Sequence, residues 1–280
     1  MTSGERPPAV DATLRARFEE AGLDWIVPDW HAPAGVGAFS TTRRGRPGGD
    51  FDLGPARVAD AADPAAVAAD RARLDAFLPS PPVWLRQVHG TRVIEVDATN
   101  RAALLADPPE ADAAVTFEHD VVLAVRTADC LPVVLAHRVD RCRCVAVAHA
   151  GWRGLAAGVL EATVAAMDAA PDDLVAWIGP AIGPRAFEVG RDVIDAFVAT
   201  EREDAGCFAP LREGKWLADL PELARRRLAR AGLRRIDGIH GGDRCTVTEA
   251  PRFHSHRRDR SAGRMATVAW KRVTGARRPA

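Results

Sequence analysis

VVLAVRTADCLPVVLAH, residues 121–137, decides how this chain folds. Two apolar runs, VVLAV and LPVVLA, are too short for typical helices and rich in β-branched residues. They lack polar alternation, which is the pattern of buried strands. A polar break, Thr127-Ala128-Asp129-Cys130, separates them. CVAVAHA (144–150) and LVAWIG (174–179) repeat the pattern. Helical segments lie around these runs. DPAAVAADRARLDAFL (63–78) is opened by Asp63 and Pro64 and stopped at Pro79. LAAGVLEATVAAMDA (155–169) predicts a helix of about four turns. DVIDAFVAT (192–200) predicts another, and LADLPELARRRLARAG (217–232) is amphipathic and ends at Gly232.

Outward from the centre, VWLRQVH (83–89) and RVIEVD (92–97) predict a hairpin turning at Gly90-Thr91. GVGAFSTTRRG (35–45) reads as a strand breaking into a polar loop, and RRIDGIH (234–240) and RMATVAW (264–270) as closing strands. Strands and helices intermix without regular βαβ alternation. The expected fold is therefore α+β (mixed α/β), a single layered domain with mixed β-sheets flanked by helices. Residues 1–34 read as a peripheral N-terminal segment, and 35–280 as a single catalytic domain.

With 280 residues, 47% of them apolar, the chain can bury a large core. Its 38 basic and 38 acidic residues cancel, so bulk charge points to neither nucleic acid nor an anionic membrane. The N-terminus shows no apolar signal region, and no uninterrupted 18-residue apolar stretch occurs. Cysteines stand at 130, 142, 144, 207 and 245, an odd number. The expectation is a reduced, cytoplasmic protein whose cysteines are buried thiols or metal ligands. There is no tyrosine to serve as an acid or a radical, and no dinucleotide or P-loop signature.

Three segments deliver ligand-type residues at strand ends: QVHG with His89, TADCLP with Asp129 and Cys130, and AHAGWRG with His149. Two histidines and a thiolate suit a zinc site that keeps its fourth position for water or substrate. Each also has a plainer reading: Cys130 as a buried thiol, His89 as a turn residue, His149 as a donor to a carbonyl. Cys142 and Cys144 share a strand face and read as structural. Asp129 is the candidate acid/base group, or else an acceptor of backbone hydrogen bonds in its turn. Trp152-Arg153-Gly154 opens a helix, and an arginine at a helix N-terminus suits an anion. The glycines around Arg153 suggest close approach of the backbone to something. Arg43 and Arg44, with Arg257 and Arg258, are candidates to complete a phosphate pocket walled by Trp152, or are solvated surface residues.

These segments stand in the order of a known family. FSTTRRG, FDLG, QVHG, ADAAVT, RTADCLPVVL, AHAGWRG, IGPAIGP, FEVG, Cys245-Thr246 and SHRRDRSAGR run from about residue 35 to 271. The chain resembles the YfiH-type laccase-domain family, also named polyphenol oxidase, purine nucleoside phosphorylase or peptidoglycan editing factor. The resemblance implies a metal set of His89, Cys130 and His149. It implies zinc-dependent phosphorolysis of adenosine, inosine, guanosine and S-methyl-5'-thioadenosine, with adenosine deamination. Older labels imply copper at the same site and oxidation of phenols, and one branch edits peptidoglycan precursors. The chain departs from the family pattern at Arg46, Arg185, Phe187 and Val247, which leaves the metal set intact.

The expected partners are a purine nucleoside and phosphate. Phosphorolysis needs an anion held against the anomeric carbon, which arginines and a helix N-terminus provide. A zinc deaminase uses a His-x-Glu proton shuttle, which this chain lacks. A laccase needs a histidine-rich trinuclear cluster, and the chain has eight histidines in all. A hydrolase with Cys130 as nucleophile competes with metal binding for the same thiolate.

Overall fold

A computed structural model describes residues 10–46, 49–138, 143–235 and 237–272. Its strands are β1 (Val36–Ser40), β2 (Val93–Glu95), β3 (Ala113–Thr116), β4 (Leu123–Thr127), β5 (Leu131–His137) and β6 (Val145–Ala150). They continue with β7 (Leu174–Ile178), β8 (Glu188–Val189), β9 (Phe208–Arg212), β10 (Lys215–Ala218), β11 (Ile239–Gly241) and β12 (Met265–Lys271). The helices are α1 (Val10–Glu20), α2 (Pro64–Asp75), α3 (Arg101–Ala106), α4 (Trp152–Ala157), α5 (Val159–Ala166), α6 (Arg191–Val198), α7 (Leu220–Arg230) and α8 (His256–Asp259).

The large sheet has the order β11-β7-β5-β6-β3-β2, and a three-stranded sheet has the order β1-β12-β4. The apolar runs fill both faces of each strand, and period-two alternation assigns every residue to a layer. Val133 and Leu135, with Ala146 and Ala148, face the helical layer, where Leu155, Leu160, Val193 and Leu228 pack. Val134, Ala136, Val145 and Val147 face the other way, against Val36, Leu123 and Val125 of the small sheet. The outer face of that sheet, Phe39, Val122, Ala124, Val268 and Trp270, is covered by Leu14 and Phe18 of α1 and Leu74 of α2. The result is helix, sheet, sheet, helix, the mixed layered fold expected from the unbroken apolar runs. Of the segment read as peripheral, the described residues 10–34 lie in the outermost layer, where Phe18 meets Trp25 and Phe39 edge-on.

Local expectations hold where turn chemistry is unambiguous. The Asp63 side chain caps α2 through the Ala66 N–H at 3.1 Å, and Asp219 caps α7 through Glu222 at 2.9 Å. Two expectations do not hold. The four-turn helix is broken at Gly158, whose φ of 100° ends α4 and starts α5. That left-handed turn lets both pieces lay apolar residues on the sheet, Leu155 from one and Val159, Leu160 and Val164 from the other. The 83–97 hairpin does not form: residues 83–89 make only single parallel bridges, Val83 with Leu123 and Arg86 with Glu110. β2 pairs instead in parallel with β3. The reason is a buried carboxylate at the turn, described below.

Cys130, Cys207 and Cys245 are free cysteines, and the Cys144 sulfur donates to the Met167 carbonyl at 3.3 Å. Cys142 lies outside the described residues. Among the described residues no helix is long and apolar enough to cross a membrane.

Candidate metal centre

Strand pairing brings the ligand-type residues together. β5 and β6 are antiparallel with Pro132 opposite His149, so Cys130, two residues before Pro132, falls beside it. β3 and β6 are antiparallel with Ala113 opposite Ala148, which sets Asp112 on the other side of His149. His149 has the parity of Val145 and Val147, and so belongs to the face between the two sheets, at their rim. His89 arrives on the loop before β2. One ligand atom from each of His89, Cys130 and His149 lies within 4.8 Å of the others. Cys130 Sγ is 3.7 Å from His89 Nε2, and the two imidazoles meet edge-on at 4.8 Å.

Asp112 holds this cluster, and the sequence reading did not single it out. It is fully buried. Its Oδ1 accepts from His149 Nδ1 at 2.8 Å and from the His89 N–H at 2.9 Å. Its Oδ2 accepts from the N–H groups of Gly90 at 2.7 Å and Val88 at 3.2 Å. Three successive backbone donors wrapped on one carboxylate make a loop, not a hairpin. They stabilise His89 at φ 62°, a left-handed conformation that costs a non-glycine residue about 1–3 kcal/mol. Burial alone would raise the Asp112 carboxyl, but His149 and the Gly90 and Val88 N–H groups outweigh it and keep it ionised. With Nδ1 committed to Asp112, His149 has its other nitrogen left for a ligand.

Gln87 docks the two ligand-bearing segments on each other. Its Oε1 accepts the Arg126 N–H at 2.9 Å and its Nε2 donates to the Arg126 carbonyl at 2.8 Å. Gly151 supplies the space: a Cβ there would stand 2.6 Å from His89 Cδ2 and 3.0 Å from Cys130 Sγ. A Cβ on Gly154 would meet the Gly90 carbonyl at 2.7 Å. The close approach suggested by the glycines of AHAGWRG is therefore to the other two ligand segments. Electrostatically the cluster is a thiolate–imidazolium pair. Burial opposes charge on Cys130, but His149 and His89 bring it down to about 6. Burial also opposes charge on His149, but Cys130 and Asp112 push it up to about 9.

The cluster lines a cavity of about 980 Å³, which reaches α2 and the loop before it. Arg153 and Arg43 line it as well. Arg153 lies over the Trp152 ring, 4.4 Å from its centroid, while Trp152 itself packs against the helical-layer core. Arg43 pairs with Asp50 and, at 3.7 Å, with Asp259. Arg44 is turned to the Pro251 carbonyl at 2.9 Å. Arg257 and Arg258 are spent elsewhere. The Arg257 guanidinium donates to the Glu188 carbonyl at 2.8 Å over the Phe187 ring. Arg258 donates to the carbonyls of Thr246, Val247 and Phe253 and to Asp259. The Asp129 carboxylate is also fully engaged. It accepts from Thr246 Oγ1 at 2.6 Å, Ser255 Oγ at 3.1 Å and the Arg257 N–H at 2.6 Å. In this position, with φ 89°, it fixes the turn that presents Cys130.

Two cavity arginines went unnoticed in the sequence, Arg126 and Arg264. Arg126 donates to the Gly54 carbonyl and to the Leu85 carbonyl at 3.2 Å, while its Nε is buried without a partner. Burial, with Arg71 and Arg264 nearby, pulls its guanidinium down to about 9, and Asp52 only partly opposes them. Its signal in the sequence was a charge inside an apolar run. The signal for Asp112 was an acid among the alanines of ADAAVT.

The chain is similar to known proteins. The family model described as multi-copper polyphenol oxidoreductase laccase matches residues 37–272. A Xylella fastidiosa protein named purine nucleoside phosphorylase is 49% identical over 254 residues, 88% of this chain and 96% of its own. The Escherichia coli protein named purine nucleoside phosphorylase YfiH is 47% identical over 252 residues, 88% of this chain and 98% of its own. The crystal structure of a Neisseria meningitidis protein, 43% identical, superposes with a TM-score of 0.80 over 89% of this chain and 99% of that one. YlmD from Geobacillus stearothermophilus, 34% identical, gives 0.76 over 85% and 93%.

Proposed function

The chain belongs to the laccase-like YfiH family, and from that premise we propose that it is a metal-dependent purine nucleoside phosphorylase. One observation carries the reading: His89, Cys130 and His149 converge at the wall of a cavity lined by arginines. Two imidazoles and a thiolate within 4.8 Å, with open space beside them, fit a zinc ion with a free coordination position, and copper at the same site is the alternative. Bound there, zinc would supply a Lewis acid beside the cavity. Asp112 keeps the proton on His149 Nδ1 and the loop of His89 in place. Arg153 offers positive charge to a phosphate approaching the anomeric carbon, whereas Arg43 is already paired with Asp50 and Asp259. The substrates proposed are adenosine, inosine, guanosine and S-methyl-5'-thioadenosine, with adenosine deamination as a side activity. The catalytic unit proposed is residues 35–280, working in the reducing cytoplasm.

The oxidase reading has less to stand on. The described residues include all eight histidines, and they hold a single three-ligand cluster, which uses two of them. A trinuclear copper site has no second ligand set there.

The test is to incubate metal-loaded protein with adenosine, with and without phosphate. Ribose 1-phosphate and adenine are expected only with phosphate, and inosine in both cases. Absence of all three products overturns the reading. Activity that survives a chelator would point to a Cys130 hydrolase instead, and oxygen consumption with copper to an oxidase.

A further inference from the structure

We propose that Arg126 and Arg264, with Arg153 at the cavity mouth, form the subsite that holds the phosphoryl dianion beside the metal cluster. This deepens the phosphorylase reading and rests on it.

Of the five arginines that line the cavity, Arg43 and Arg46 have carboxylate partners and the other three have none among the described residues. Arg126, Arg153 and Arg264 line the cavity together with His89, Cys130 and His149. Among the described residues none of the three has a carboxylate within 4.0 Å, and neither does Arg71 behind them. Among the described residues the Arg264 guanidinium donates only to the carbonyls of Ser261 and Gly263, at 3.3 and 2.8 Å. Arg71 is spent on the carbonyls of Leu53, Pro55 and Ala56 and on the face of Trp84, 4.5 Å from its ring centroid. Six aspartates line the same cavity, Asp50, Asp52, Asp60, Asp63, Asp70 and Asp259, and none of them forms an ion pair with Arg126, Arg153 or Arg264. Asp50 and Asp259 pair with Arg43, and Asp70 pairs with Arg46 at 3.6 Å. Asp52 accepts the backbone N–H groups of Gly54 and Arg264 at 2.8 and 2.9 Å.

A half-buried guanidinium without a direct ion pair is costly, because its desolvation is not repaid. The mutual repulsion of Arg71, Arg126 and Arg264 adds to that cost. A dianion in the cavity relieves both terms. Arg257 and Arg258 are not among the residues that line this cavity.

The test titrates inorganic phosphate into the metal-loaded full chain by calorimetry. Arg126→Gln and Arg264→Gln are each expected to weaken phosphate about ten-fold or more, the loss of a charge-assisted hydrogen bond. Arg191→Gln, an exposed residue paired with Asp195, is the control expected to change nothing. Arg126 also ties the Gly54 and Leu85 carbonyls, so Arg264→Gln carries the test if Arg126→Gln does not fold. Folded variants that bind phosphate like the wild type, or a wild type that binds none, overturn the proposal. Two sources of the dianion separate in the same assay. Phosphate that binds alongside saturating nucleoside is a co-substrate. Phosphate displaced by a nucleoside 5'-monophosphate but not by the nucleoside marks a phosphorylated substrate. Both require the two arginines. Arginine-dependent phosphate binding without phosphorolysis would defeat the function and leave the subsite. Phosphorolysis with arginine-independent phosphate affinity would defeat the subsite alone.

Discussion

Replacing Asp112 by asparagine changes one atom at the centre of the cluster. The aspartate accepts four N–H donors, two on each oxygen, at 2.7–3.2 Å. In the amide one oxygen becomes an NH₂ group facing two of those donors. Each buried donor left without an acceptor costs about 1–3 kcal/mol, so the substitution should destabilise the metal-free protein by about 2–6 kcal/mol. If the amide oxygen stays with Val88 and Gly90, His149 Nδ1 loses its partner and its tautomer is no longer set. If it stays with His149 and His89, the Val88 and Gly90 donors are orphaned and the His89 loop loosens. Either orientation disorders one ligand, and metal affinity should fall about 10–100-fold. Competition against a chromophoric chelator reads the affinity, and calorimetric melting of the metal-free protein reads the stability. Glu110→Gln, at an exposed neighbour, controls for charge. An Asp112→Asn variant that melts like the wild type and binds metal within about two-fold of it would refute the reasoning.

Gly151→Ala should fold normally, since the φ of Gly151 is −61°, yet lose metal, because its Cβ would stand 2.6 Å from the His89 ring. Full metal stoichiometry and wild-type affinity in that variant would show that the ligands do not need this space. In metal-free protein, alkylation of Cys130 should titrate near pH 6, because His149 and His89 outweigh burial there. The thiolate then persists at neutral pH, and the rate falls as acid reprotonates it below about 6. His149→Ala should move the midpoint up, and a wild-type midpoint near the ordinary thiol value of about 8.5 would refute the ion pair.

The buried runs made the layers legible, because a strand without polar alternation must be covered on both faces. The three residues of the cluster were legible too, as polar residues that end such runs. Pairing register was not. ADAAVT could be read as a strand, but only the antiparallel match of Ala113 to Ala148 brings Asp112 against His149. The expected hairpin failed for the same reason: a carboxylate distant in sequence captured the turn at 88–90. Arg257 and Arg258 drew attention as a basic pair, yet the loop around them needed donors for its own carbonyls. Arg126 was hidden in the most apolar part of the chain, where a lone charge has more meaning than a cluster on the surface.

The candidate site is therefore a product of sheet register more than of any one motif. His149 needs a neighbour on each side, and β6, lying between β5 and β3 in the sheet order, provides both. A one-residue slip of β6 would move His149 from the inter-sheet face to the helix-facing side, and would exchange Val145 and Val147 with Ala146 and Ala148. Valine side chains would then crowd the helical layer, while alanines would leave voids between the sheets. The packing that selects the correct register thus also selects the pairing of His149 with Asp112 and Cys130. Gly151 and Gly154, immediately after β6, keep clear the space that the His89 loop occupies. Core volume, ligand geometry and loop approach all depend on the same few residues of AHAGWRG, so a change tolerated by one of them is still constrained by the other two.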